Sequence, residues 1–163
     1  MDVRIVDFPE TALAVAEHHG SPALEYETAR KLIAWRIAHR LSPAGPNRTF
    51  GIHYTDPEQV APEAHRVDLG VEYALPVEPN PQGIVAKRIP ACRCAVVRHV
   101  GAREQVTAAG WLFREWLPQS GEQLGDFSVF FHYVNVGPQV QEAEMITDVY
   151  LPLKAPLFFA CLD

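Results

Sequence analysis

The stretch VRIVDFPETALAVAEHHG, residues 3–20, decides the fold, because residues 84–101, IVAKRIPACRCAVVRHVG, write it a second time. At an offset of 81, Pro9 falls on Pro90, Ala14-Val15 on Ala95-Val96, His18 on His99 and Gly20 on Gly101. Further along, Trp35 falls on Trp116. After a two-residue contraction, His53-Tyr54 in GIHYTD (51–56) falls on His132-Tyr133 in FFHYVNVG (130–137). A period this long, present twice, does not suit a solenoid and suits two halves packed about a pseudo-two-fold axis.

Each half carries the same order of signals. A short strand (3–7, then 84–88) leads through a Pro-containing turn to a Val/Ala-rich strand (11–18, then 91–99) that ends in His-x-Gly, where glycine permits the turn. A helical stripe follows: Leu24, Thr28, Leu32, Trp35 and Ile37, then Val106, Ala109, Leu112, Phe113, Trp116 and Leu117. Two more strands close each half, 48–55 and 65–77, then 127–136 and 144–153. From Val67 to Val77 the odd positions are apolar or aromatic, while the even ones include Asp68, Gly70 and Glu72, which predicts one packed face and one open face. The fold class is therefore α+β: two tandem strand-helix-strand-strand repeats with pseudo-two-fold symmetry, an antiparallel sheet of about eight strands and two main helices. We expect one domain over 1–163, with repeat one at 1–80, repeat two at 81–154 and a C-terminal tail at 155–163. The Pro-rich PVEPNPQG (76–83) joins the halves, and the tail packs back on its own domain or, alternatively, covers an edge strand or a partner subunit.

Composition excludes several classes of function. A net charge of −6 and only scattered basic residues argue against a nucleic-acid surface. There is no transmembrane run and no signal peptide, so no membrane partner is expected and the chain reads as cytoplasmic. The chain contains no predicted DNA-binding helix pair and does not read as a one-piece transcription activator. Cys92, Cys94 and Cys161 make an odd count and suggest reduced thiols; Cys92 and Cys94 share a strand face, but no second close pair supports a metal site. No phosphate loop, HExxH or GxSxG is present, so neither a cofactor nor a catalytic residue is assigned. His18, His19 and His99 read as turn-capping or surface residues.

The aromatic residues carry the remaining signal. Trp35 and Trp116 are expected in the core, whereas Trp111 lies roughly 140° around its helix from Trp116. Tyr54 and Tyr133 are expected at equivalent points flanking the axis, where an aromatic-lined cleft suits a flat or cationic apolar ligand, with His53 and His132 both turned away from it.

The order AVAEHHG or AVVRHVG, helix, WLPQSG (116–121), FFHYVNVG and DVYLPL (148–153), with GIHYTDP (51–57) and HRVDLGVEY (65–73), resembles the GyrI-like small-molecule-binding family over residues 1–154. That resemblance implies a ligand groove between two repeats. It also implies a glutamate in the penultimate strand, two residues before the tyrosine, that meets cationic drugs or serves hydrolysis. Phe131 occupies that position here. Phenylalanine offers a cation only its ring quadrupole, and it cannot act as a general base. Asp68, Glu72 and Asp148 are the carboxylates available to replace the lost one. The expected function is thus a stand-alone protein that binds a small apolar or aromatic molecule, neutral or cationic, lined by Tyr54, Phe131, Tyr133 and Tyr150 with Trp111 and Glu72. The alternatives are a protein-interaction role, with DNA gyrase as the partner implied by family resemblance, and hydrolysis of a reactive electrophile.

Overall fold

The structure is a computed structural model and describes residues 1–103 and 106–156. Repeat one supplies β1 (Arg4–Phe8), β2 (Thr11–His19), α1 (Glu25–Ala38), β3 (Thr49–His53) and β4 (Arg66–Glu72). Repeat two supplies β5 (Val85–Ile89), β6 (Cys92–Val100), a helical run we call α2, β7 (Phe130–Tyr133) and β8 (Ile146–Leu153). α2 comprises an α-turn at Ala108–Trp111, a π-helical stretch at Leu112–Trp116 and a final turn at Leu117–Ser120. It ends at Gly121, whose φ of 75° lies in the left-handed region that glycine enters without strain.

One antiparallel sheet holds all eight strands in the order β1-β6-β8-β7-β3-β4-β2-β5. The order is a palindrome under exchange of repeats, with the axis between β3 and β7. Only Pro9 and Glu10 separate β1 from β2, yet these strands stand near opposite ends of the sheet. Pro90 and Ala91 impose the same constraint on β5 and β6. Links this short cannot span a flat eight-strand sheet at about 4.8 Å per strand, so the sheet curls into a half-barrel. The two prolines that align at an offset of 81 are the links that force this curl.

The curl buries the inner face. Phe8 and Cys94, Leu13 and Val15, Ile89, and Phe50, Ile52 and Phe130 form one cluster, and Phe8 lies 6.0 Å from Phe50 between ring centroids although three strands separate theirs. The helices cover the outer face. α1 lies over β2 and β4 around Trp35 and Leu32, and α2 lies over β6 and β8 around Leu112 and Ala108.

Three expectations need correction. The strand pairings set the offset at 80 for the closing strands: Ile52 faces Asp68 as His132 faces Asp148, and Gly51 sits opposite Phe131 across the axis. His53 is therefore the counterpart of Tyr133, and Tyr54 is not. A one-residue slip in a strand moves every side chain to the other face, so Tyr54 and Tyr133 do not flank the axis together. Likewise, Asp68 and Gly70 do not lie on an open face; both are buried, because the curled inner face is itself a core. On the helices, Leu24 and Ile37 are exposed, and Thr28 and Arg36 are buried beside Leu32 and Trp35. Most of the predicted tail, 157–163 with Cys161, lies outside the described residues.

Candidate functional site

α1 and α2 stand on strands to either side of the axis, so the outer face of β3 and β7 forms a strip between them. Alternation along the strands puts Thr49, Gly51 and His53 from β3 and Phe131 and Tyr133 from β7 on this strip. Phe131 packs against the cluster under α2 together with Trp111. Its ring lies 4.2 Å from that of His53 and 6.3 Å from that of Tyr133. Tyr133 reaches diagonally across the axis, and a Cβ built on Gly51 would meet its hydroxyl at 2.6 Å. Gly51 is thus the hollow that lets a tyrosine lie flat on the strip. Arg103 stands over the tyrosine ring, 5.1 Å from its centroid.

The strip carries polar groups whose titration is displaced. Burial, with the neighbouring His65, lowers His53 to about 4, so its imidazole is neutral near pH 7. Its Nε2 is buried and has no hydrogen-bond partner among the described residues. Burial also pushes the Tyr133 phenol above its usual range, assisted by the nearby carboxylate of Glu25. At the His53 end, buried His65 pairs through Nε2 with Glu25 Oε1 at 2.7 Å, and its Nδ1 lies 3.0 Å from Thr55 Oγ1.

The six candidate residues separate into two groups. Phe131 and Tyr133 lie on the outer strip, with Trp111 of α2 packed against the same outer cluster as Phe131, while Tyr54, Tyr150 and Glu72 belong to the inner side of the half-barrel. Tyr54 donates to Asp68 Oδ2 at 2.5 Å, and burial with that bond pushes its phenol up to about 12. Lys87 bridges Asp68 and Glu17, each at 2.8 Å, and lies 5.6 Å from the centroid of the Tyr54 ring. Tyr150 stacks on Phe130 at 4.9 Å between centroids. Glu72 takes both arms of Arg48 at 3.0 Å, which hold it below the usual carboxylate range, and the guanidinium lies over Phe8 and Phe50. Asp148 is held by Arg98 at 2.8 and 3.0 Å. All three replacement carboxylates therefore face away from Phe131 and Tyr133, and each already has a cationic partner.

The histidines also separate. His132 faces inward, 5.2 Å from Phe50 between centroids, while His53 faces the strip, so the two do not share a side. His18 bonds Thr28 Oγ1 and the carbonyls of Gly20 and Ser21, and His99 bonds that of Ala102, so both tie down the turns after their strands. Sequence reasoning missed His53 as a strip residue because it followed the repeated His-Tyr pair. The coincidence of Phe50 with Phe130 and of Asp68 with Asp148 at an offset of 80 was the signal that places it.

A curled sheet of two repeats with an aromatic strip on its axis defines a class. Residues 1–154 match the model of the GyrI-like small molecule binding domain, and the chain belongs to that family. The probable transcriptional regulator YgiV of Escherichia coli (strain K12) is 38% identical over 154 residues, which cover 94% of this chain and 96% of that protein. A DNA gyrase inhibitor of Erwinia billingiae (strain Eb661) is 29% identical over 127 residues, covering 76% of this chain and 78% of that one. In fold, the chain is similar to the EcmrR C-terminal domain, with a TM-score of 0.74 at 17% identity over 94% of this chain and 97% of that one.

Proposed function

We propose that the chain binds a flat, neutral apolar or aromatic molecule on the strip between α1 and α2, stacked on Phe131 and Tyr133. The observation that carries this reading is the unpartnered Nε2 of neutral His53 beside two half-buried aromatic rings. A buried polar atom without a partner gains from a ligand that supplies one, and the rings supply area without charge. No strand of the strip contributes a carboxylate, and Glu25 at its His53 end is already hydrogen-bonded to His65, so the strip offers a lipophilic cation ring faces rather than a free carboxylate. Tyr54, Tyr150 and Glu72 then act through the inner core rather than on the ligand. Hydrolysis has little support, because Asp68, Glu72 and Asp148 all face the other side. The name of the Erwinia relative keeps gyrase as a partner to test, and the YgiV name fits a protein whose ligand reports on its surroundings. Among the described residues no helix is long and apolar enough to cross a membrane, and a cytoplasmic location belongs to the same reading.

Thermal shift with neutral bicyclic aromatics and with tetraphenylphosphonium tests the proposal. A ligand at one hundred times its Kd stabilises by about 2.7 kcal/mol. That corresponds to a rise of roughly 5–11 °C for a chain of this size. The rise is expected with the neutral aromatics, and Phe131→Ala and Tyr133→Ala should abolish it while Tyr54→Phe leaves it intact. A response that disappears in Tyr54→Phe and survives in the two strip variants would move the site to the inner face. A response to the cation alone would overturn the neutral-ligand reading.

A further inference from the structure

Cys92 and Cys94 take no part in the strip. They lie two residues apart on β6, and Cys94 belongs to the inner cluster with Phe8 and Phe130, on the opposite face of the sheet from Phe131. Both are free thiols; Cys92 is half-buried and Cys94 fully buried. Their sulfurs are 3.5 Å apart, one donating to the other. That contact lowers the Cys92 thiol, and together with burial it raises Cys94, so the more accessible sulfur is the one nearer its thiolate form.

We propose that Cys92 and Cys94 form a two-thiol site for trivalent organoarsenicals, compounds of the type RAs(OH)2. With thiolate bonds of about 2.3 Å, sulfurs 3.5 Å apart subtend about 100° at a bridged atom. That angle suits a pyramidal three-coordinate centre carrying one further substituent. A linear two-coordinate ion would need the sulfurs about 4.6 Å apart. A tetrahedral ion would need more protein ligands, and no group of three His, Cys, Asp or Glu able to hold a metal is found among the described residues. The third substituent is organic rather than hydroxide, because Cys94 sits in the apolar inner cluster with Phe8, and Cys92 packs against that same cluster. Cys92 forms the first As–S bond and Cys94 closes the ring. Two S–H and two As–O bonds break, two As–S bonds form and two waters leave, with arsenic remaining trivalent throughout. The second bond is intramolecular, so the adduct outlasts one held by a single thiol.

Intact-mass measurement with phenylarsine oxide, followed by a wash in excess glutathione, tests the site. Wild type is expected to retain one phenylarsenic group, which dimercaprol then removes. Cys92→Ala and Cys94→Ala should each lose the group at least about tenfold faster, because only one bond remains. Cys161→Ala should behave as wild type. Cys92→Ala leaves the buried cysteine in place and disturbs the core least, so its result stands even if Cys94→Ala fails to fold. Retention that survives Cys92→Ala, a wild-type adduct stripped as fast as that of the single variants, or retention lost in Cys161→Ala would each overturn the proposal. None of these results bears on the aromatic ligand of the outer strip.

Discussion

Placing one methyl group on the axis offers the sharpest test of the strip. Gly51 does not have a positive φ, so alanine fits its backbone, and in an accommodating site the change would stabilise by about 0.4–1 kcal/mol through the unfolded chain. The site does not accommodate it. The new Cβ would lie 2.6 Å from Tyr133 Oη, 3.1 Å from Cε2 and 3.2 Å from Cζ. The phenol ring is rigid and packed, so it must swing off the strip as a unit. Overpacking of this kind costs about 1–3 kcal/mol. Gly51→Ala should therefore lower the melting temperature by roughly 2–4 °C for each kcal/mol lost. With Tyr133→Val as the background, the clash is gone and the same alanine should be neutral to slightly stabilising. The coupling between the two positions, read from urea melts of the four proteins, is expected at about 1–3 kcal/mol. Gly51→Ala should also weaken the response to neutral aromatics, since the displaced phenol enters the space a ligand needs. An equal cost of Gly51→Ala in both backgrounds would refute the reasoning, because the phenol would then not lie over Gly51.

Three further outcomes follow from the same geometry. His53 is lowered to about 4 in the folded chain from an ordinary 6.5, so the unfolded chain binds the extra proton first and stability falls as pH drops from about 6.5 towards 4. The loss has an upper limit of about 3 kcal/mol, and His53→Leu should flatten the slope of urea midpoints between pH 7 and 5, leaving the smaller contribution of His132; an unchanged slope would count against a neutral buried His53. Phe131→Glu should cost roughly 2–4 kcal/mol and be rescued by tetraphenylphosphonium more than wild type is stabilised by it, as thermal shift would show. Arg48→Lys keeps the charge but loses the two-armed grip on Glu72 and the guanidinium face over Phe8 and Phe50, for a loss of about 1 kcal/mol by chemical denaturation.

The repeat was legible because its anchors are backbone-special residues. Pro9 and Pro90 form the crossing links, and Gly20 and Gly101, with φ of 119° and 127°, sit at turns that other residues resist. These constraints recur in both halves and survive as identities in the chain. The register of β7 was not legible to one residue. FFHY is a strand of four residues packed on both faces, so no polar-apolar alternation marks its sides, and the His-Tyr pair offered a false match. The same two-sided burial hid the inner core, since Asp68 and Gly70 look like solvent-facing positions until the curl encloses them. Phe131 was singled out from the chain, at the position where the family resemblance implies a carboxylate. That His53, one strand over, lies against it depended on the register alone.

The palindromic strand order has a consequence for how this protein folds and how it arose. Among the described residues β1 pairs only with β6 and β5 only with β2, so each repeat lends its first strand to the other. Neither repeat is a closed unit; expressed alone, each would present unpaired strand edges and an open inner core. Two copies of one repeat, however, have the matching edges to complete each other, which makes an exchanged homodimer a natural precursor of the fused chain. In the fused chain the exchange ties the halves into a single cooperative transition, since melting either repeat strips an edge from its neighbour. The strip on the axis, built equally from both, is lost only when the whole sheet is lost.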